Sequence, residues 1–133
     1  MKNPDIVRLA YGEIPGPIYV GRIPQVWADQ LHASTCWVEF SYYNLGKQAA
    51  KHRDVELGFY EDIDWILEHG EVIFDPRENV RHFFGDTIAV CGYRTKVTVK
   101  ATRGRGELFL TSVFRIRDRD YDRVRRKASR GKN

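Results

Sequence analysis

The chain has 133 residues, with 42% hydrophobic and 13% aromatic content. That excludes a second folded unit and intrinsic disorder, because compact domains cluster near roughly 100–150 residues and disordered chains lack the apolar residues to bury a core. The 22 Lys and Arg against 18 Asp and Glu give a net charge of +4, but residues 115–133 alone are +6, which leaves the preceding 114 residues at −2. Two cysteines (Cys36 and Cys91) exclude a disulfide framework, no run approaches the roughly eighteen apolar residues of a membrane span, and the N-terminus has no apolar signal segment. A reducing, cytoplasmic setting without membrane contact is the expectation, the alternative being export by a route that the sequence does not display.

In chain order, residues 12–24 (GEIPGPIYVGRIP) hold three of the five prolines and three glycines, a density that predicts an extended N-terminal arm over residues 1–25. Val26, Trp27, Gln30 and Leu31 suggest a short helix, and Thr35 to Phe40 (TCWVEF) has strand composition. A helix is expected from an N-cap at Ser41, with Tyr42, Leu45, Ala49 and His52 on one side. A second helix opens at Glu61 or Asp62, carries the stripe Ile63, Ile66, Leu67, and stops at Gly70.

After Gly70 the period becomes two. Segments 71–75, 80–84, 87–93, 96–100 and 107–116, separated by turns at 75–79 and 85–86 and a loop at 101–106, read as an antiparallel meander. In the last hairpin Val97 and Val99 face one side and Lys96, Thr98 and Lys100 the other. On the return strand Leu108, Leu110, Ser112 and Phe114 are expected to alternate with Phe109, Thr111 and Val113. Such a strand, apolar on both faces, is central and needs a cover, which the upstream helices would supply. The predicted fold is therefore α+β: N-terminal helices packed on a C-terminal antiparallel sheet of about four or five strands, one domain over 26–116, followed by a basic tail at 117–133. That tail is either a reach toward phosphates or a solvated charge block.

The spacing of the four histidines is not that of HExxH, and neither GxGxxG nor GxxxxGK[ST] occurs, so no metal or cofactor is expected. Lys51-His52 closes the helix begun at Ser41, where a cation complements the carbonyl ends, or else supplies an imidazole that titrates near neutrality for acid–base work. Arg81-His82 lies in a strand, where one side chain is expected to be solvated at an edge. Arg94, Lys96, Lys100, Arg103 and Arg105 form a basic patch along the final hairpin, its RGRG tip being a flexible turn or a phosphate contact. Thr111 and Ser112 place hydroxyls in an otherwise apolar strand.

The helix-borne Lys51-His52, the step from Trp65-Ile66-Leu67 into Val72-Ile73-Phe74-Asp75-Pro76, and the strand Leu110-Thr111-Ser112-Val113-Phe114 together resemble the BECR superfamily of barnase, EndoU, colicin-type tRNases and RelE-like toxins, most closely its phage-borne branch, over about residues 40–116. The resemblance implies a metal-independent endoribonuclease acting by attack of the ribose 2′-OH, with RNA as partner and an immunity protein or antitoxin as a further one. It makes His52 the acid or base, Lys51 its charge-stabilising neighbour and Thr111 a phosphate-contacting hydroxyl. The cations from Arg94 to Arg105 are added as RNA-binding groups on electrostatic grounds, not from the motif. No second acid–base group is assigned, His69 and His82 both being candidates, so a non-cleaving nucleic-acid-binding or adaptor protein is the alternative.

Overall fold

The computed structural model describes residues 5, 8–9, 12–41, 43–45, 62–77, 79–86 and 93–130. Lys51, His52, Cys91, the rest of the helix expected after Leu45 and residues 87–92 of the strand expected over 87–93 lie outside these residues.

The proline-rich segment enters the sheet as β1 (Ile18–Arg22). Its prolines flank the strand rather than interrupt it, while Ile18 and Val20 alternate into the core. A short helix α1 (Gln25–Gln30) follows Pro24, and β2 (Trp37–Phe40) buries Val38 and Phe40 while Trp37 stays exposed. Ser41 caps the next turn as expected: its Oγ accepts from the Asn44 N–H at 3.0 Å. The stripe Ile63, Ile66, Leu67 is the buried face of α2 (Ile63–His69). The strands β3 (Glu71–Phe74), β4 (Val80–Asp86), β5 (Tyr93–Ala101) and β6 (Leu108–Arg117) complete the sheet, and a 3-10 turn (Asp118–Asp120) leads into α3 (Tyr121–Ser129).

Among the described residues the sheet has six strands, in the order β1-β2-β6-β5-β4-β3. Every neighbouring pair is antiparallel except β2 and β6, which run parallel through Val38↔Leu108 and Glu39↔Phe109. This corrects the predicted architecture. The fold is a mixed α/β arrangement in which two N-terminal strands extend the meander to six, and the helices are not an N-terminal layer but are interspersed, with α3 at the C-terminal side. The physical reason is edge satisfaction: without β2, the outer backbone of β6 would be an unpaired ladder, and the apolar alternation of Ile18, Val20, Val38 and Phe40 supplies strands that fit there.

The main core lies on one face, called inner here, where Phe83, Val97, Val99, Leu108, Leu110 and Val113 meet Val38, Phe40 and the α2 stripe. The outer face carries a second cluster, Phe84 and Ile116 under Val124 and Ala128 of α3, with Ile73, Phe114 and Tyr121 against it. The basic C-terminal segment is thus structured over 118–129. No described helix is long and apolar enough to cross a membrane.

The expected alternation along β6 fails at one residue. Thr98 pairs with Ser112 but Val99 pairs with Leu110, so Thr111 is the extra residue of a bulge. The bulge reverses parity, putting Leu108, Leu110 and Val113 together on the inner face and Phe114 and Ile116 on the outer one.

Candidate functional site

Four polar side chains cross the outer face from the turn after β3 to β5. Asp75 follows β3, and its carboxylate accepts from the Arg77 backbone N–H at 2.8 Å and from the Arg77 guanidinium, Nε to Oδ1 at 2.9 Å and Nη2 to Oδ2 at 2.6 Å. The same Oδ2 is 2.8 Å from Nε2 of His82, whose Nδ1 is 2.9 Å from Oγ1 of Thr98. One assignment satisfies every atom: a neutral imidazole donating through Nε2–H to Asp75 and accepting the Thr98 hydroxyl proton at Nδ1.

The charges agree with that assignment. Burial pulls the His82 pKa below its ordinary 6.5, with Lys96 and Arg77 adding to the shift against the opposing effect of Asp75. Burial alone would raise the Asp75 carboxyl, but the hydrogen bonds from Arg77 and His82 and the Arg77 charge outweigh it and hold the carboxyl well below the usual carboxylate range. Asp75, His82 and Thr98 share the connectivity of a catalytic triad, yet His82 is 0% and Thr98 4% exposed. A substrate has no access to them. What the network does is fix Asp75, and Asp75 fixes Arg77, whose side chain is 49% exposed.

Sequence reasoning expects one of Arg81 and His82 to be solvated at an edge, and the structure buries both. The reason is that β3 lies outside β4, so β4 is no edge. Arg81 is accommodated by donating to the Val80 carbonyl at 2.8 Å and by stacking its guanidinium 4.8 Å from the centre of the Phe74 ring.

Arg77 opens onto a groove of about 600 Å³ lined by Pro76, Arg77, Asn79, Lys100, Ala101, Thr102 and Arg103. A smaller cavity of about 280 Å³ shares Asn79, Ala101, Thr102 and Arg103 with it and reaches Leu31 and His32. The groove walls are held by backbone and side-chain hydrogen bonds. Ala101 N–H donates to the Asn79 carbonyl at 2.8 Å, Asn79 Nδ2 returns a bond to the Ala101 carbonyl at 3.1 Å, and Thr102 and Glu107 close the hairpin. The RGRG tip is anchored as well: Ser34 N–H donates to the Gly106 carbonyl at 2.9 Å and Ser34 Oγ to the Arg105 carbonyl at 3.0 Å. Gly106 has φ +69°, and a Cβ there would lie 2.6 Å from the Ser34 nitrogen, so only glycine permits this docking.

The predicted patch is divided by the fold. Lys100 and Arg103 share the groove, and Arg105 stands exposed on the hairpin loop beside Glu107. Arg94 lies instead beneath α3, 3.4 Å from Asp118 and 3.9 Å from the centre of the Tyr121 ring. Lys96 is buried, its ammonium 5.4 Å from the centre of the Phe114 ring. Thr111 is exposed at the bulge and donates to the Thr98 carbonyl at 3.3 Å. Arg77 and Asn79, which sequence reasoning passed over, complete the groove; the Asp75-Pro76-Arg77 turn was the available signal, since a short acidic residue two before an arginine can hold both its backbone and its fork. Among the described residues no cluster of three or more His, Cys, Asp or Glu side chains is arranged to hold a metal ion.

Comparison with protein-family models, with curated proteins and with solved structures finds no match to this chain.

Proposed function

We propose that this protein binds RNA and that the Arg77–Lys100–Arg103 groove is its phosphate site. The supporting observation is the convergence of three cations from separate loops and strands on one groove, with Arg77 pre-ordered by a buried carboxylate. A guanidinium held in place loses less side-chain entropy when it meets a phosphate. Salt-titrated binding of a labelled single-stranded oligoribonucleotide tests this. Each lost phosphate contact on a single strand lowers the slope of log K against log salt by about 0.7, so the Lys100→Ala, Arg103→Ala double variant is expected to lose about 1.4 from the slope and to bind more weakly. An unchanged slope would sink the groove assignment.

A second reading, the metal-independent endoribonuclease of phage-borne toxin type, is favoured by the exposed Thr111 hydroxyl at the β6 bulge. In it, a base takes the proton of the ribose 2′-OH, O2′ attacks the adjacent phosphorus, Lys51 stabilises the phosphorane charge, and an acid gives its proton to the departing 5′ oxygen, leaving a 2′,3′-cyclic phosphate; His52 is one of this acid–base pair. Cleavage of bulk RNA in EDTA, abolished in a folded His52→Ala variant, is the expected result. Binding without scission in the parent protein would instead favour the non-cleaving nucleic-acid-binding or adaptor alternative.

A further inference from the structure

The sheet register puts a second feature beside the groove. Tyr19 pairs with Glu39, Glu39 with Phe109, Phe109 with Lys100 and Lys100 with Val80, which makes one cross-strand row over five strands, about 19 Å at ~4.8 Å per strand. Because Ile18, Val38, Phe40, Leu108, Leu110 and Val99 take the inner face, Tyr19, Glu39, Phe109 and Lys100 all belong to the outer one. Trp37, two residues before Glu39, joins this row: its ring centre is 5.7 Å from that of Tyr19.

These rings differ from the others on the outer face. Phe84, Phe114 and Tyr121 pack with α3, whereas Tyr19 is 56% and Trp37 47% exposed, with Phe109 half-buried between them and Lys100. Cations stand at both ends of the row. The Arg22 guanidinium lies 5.5 Å from the centre of the Trp37 ring, and Lys100 leads into the groove with Arg77 and Arg103. Rings flanked by cations at both ends suit a chain that carries a stackable base and a phosphate in every unit. A duplex, whose bases are already stacked on one another, would not offer them base faces.

We infer that Trp37, Tyr19 and Phe109 are a base-stacking platform for single-stranded RNA whose phosphates continue into the Arg77–Lys100–Arg103 groove. The inference depends on the RNA-binding reading above and adds to it a preference for single strands.

The test measures binding of a fluorescent oligouridylate and of an abasic ribose-phosphate chain of equal length to the full protein and to Trp37→Ala and Tyr19→Ala, each checked for folding by its urea midpoint. The parent is expected to bind the oligouridylate more tightly than the abasic chain. Each variant should weaken oligouridylate binding about 5- to 100-fold, with the salt slope and abasic-chain binding unchanged, and Trp37→Phe should restore most of the loss. Should Trp37→Ala fail to fold, Trp37→Leu replaces it, and quenching of tryptophan fluorescence by oligouridylate, present in the parent and reduced in Trp37→Phe, gives an independent reading. Equal affinity of the parent for both chains, or oligouridylate binding by the variants at parent strength, overturns the platform while leaving the groove reading intact. Binding of neither chain overturns both.

Discussion

At the scale of single residues, the informative position is His82. Its imidazole is neutral in the folded protein because burial disfavours the charged form and because the adjacent Lys96 and Arg77 oppose a further positive charge. A pKa lowered on folding means that the unfolded chain binds the proton first. Stability is therefore full above the ordinary value of 6.5 and is lost as pH falls from there toward the folded-state value. Asp75, with its pKa lowered from 3.8, adds a second loss in the carboxylate range and below. Urea unfolding followed from pH 8 down to pH 3 should show both steps. His82→Gln should cost ~1–3 kcal/mol at pH 8, by disturbing the partners of Asp75 and Thr98, and should flatten the step that begins near 6.5. A parent midpoint that stays constant between pH 7 and pH 5 would contradict this account.

None of this was legible from His82 as a letter in the sequence. A histidine in a VRHFF run reads as an edge residue until the order of strands is known, and its two partners come from seven residues upstream and sixteen downstream.

At the scale of elements, α2 is where sequence and structure agree most closely. Its apolar spacing, its start near Asp62 and its stop at Gly70 were all visible, since each is set within one or two helical turns. Gly70 has φ −67°, so it is not needed for a left-handed turn. It is needed because a Cβ would sit 2.5 Å from the Ile66 carbonyl oxygen and 2.6 Å from that of Phe84, both backbone atoms that have no room to give. Gly70→Ala is accordingly expected to destabilise the fold by ~1–3 kcal/mol, measured as a lower urea midpoint, although alanine is the better helix former. Neutral or raised stability would show that helix and sheet can separate there at little cost.

The β5–β6 hairpin was equally legible as a hairpin, but the bulge at Thr111 was not. A bulge leaves the composition of a strand unchanged and only shifts which residues share a face. The same blindness applied to α3. Tyr121, Val124 and Ala128 recur at helical spacing, but they are set among so many charges that residues 117–133 read as a tail.

At the scale of the whole molecule, the uneven charge takes on a different meaning. The +6 of residues 115–133 is largely carried on the end of β6 and on a helix that covers part of the sheet, with Arg125 paired to Glu71 of β3. Deleting that segment would remove Ile116 with α3 and uncover Phe84, so truncation confounds folding with binding. Charge reversal separates them. Arg119, Arg123 and Arg126 are exposed, and changing all three to Glu is expected to weaken RNA binding and its salt dependence with little change in unfolding midpoint, because exposed charges and ion pairs contribute only ~0–1 kcal/mol each. RNA affinity equal to that of the parent would confine the phosphate contacts to the groove.

By itself the sequence determined the local features: a core of adequate size, the stripe and stop of α2, the strand periodicity after Gly70, the turn at 75–79 and the separation of charge between the two ends of the chain. Each depends on residues a few positions apart, where backbone sterics and side-chain period act directly. Tertiary structure alone decided that β2 runs parallel beside β6, that β3 closes the far edge, that Arg77 is held by a buried network, and that Tyr19, Trp37 and Phe109 lie in a row leading to Lys100. Those juxtapositions join residues up to about ninety positions apart. They follow from burying every apolar face and pairing every strand at once, a condition that no short stretch of the chain expresses.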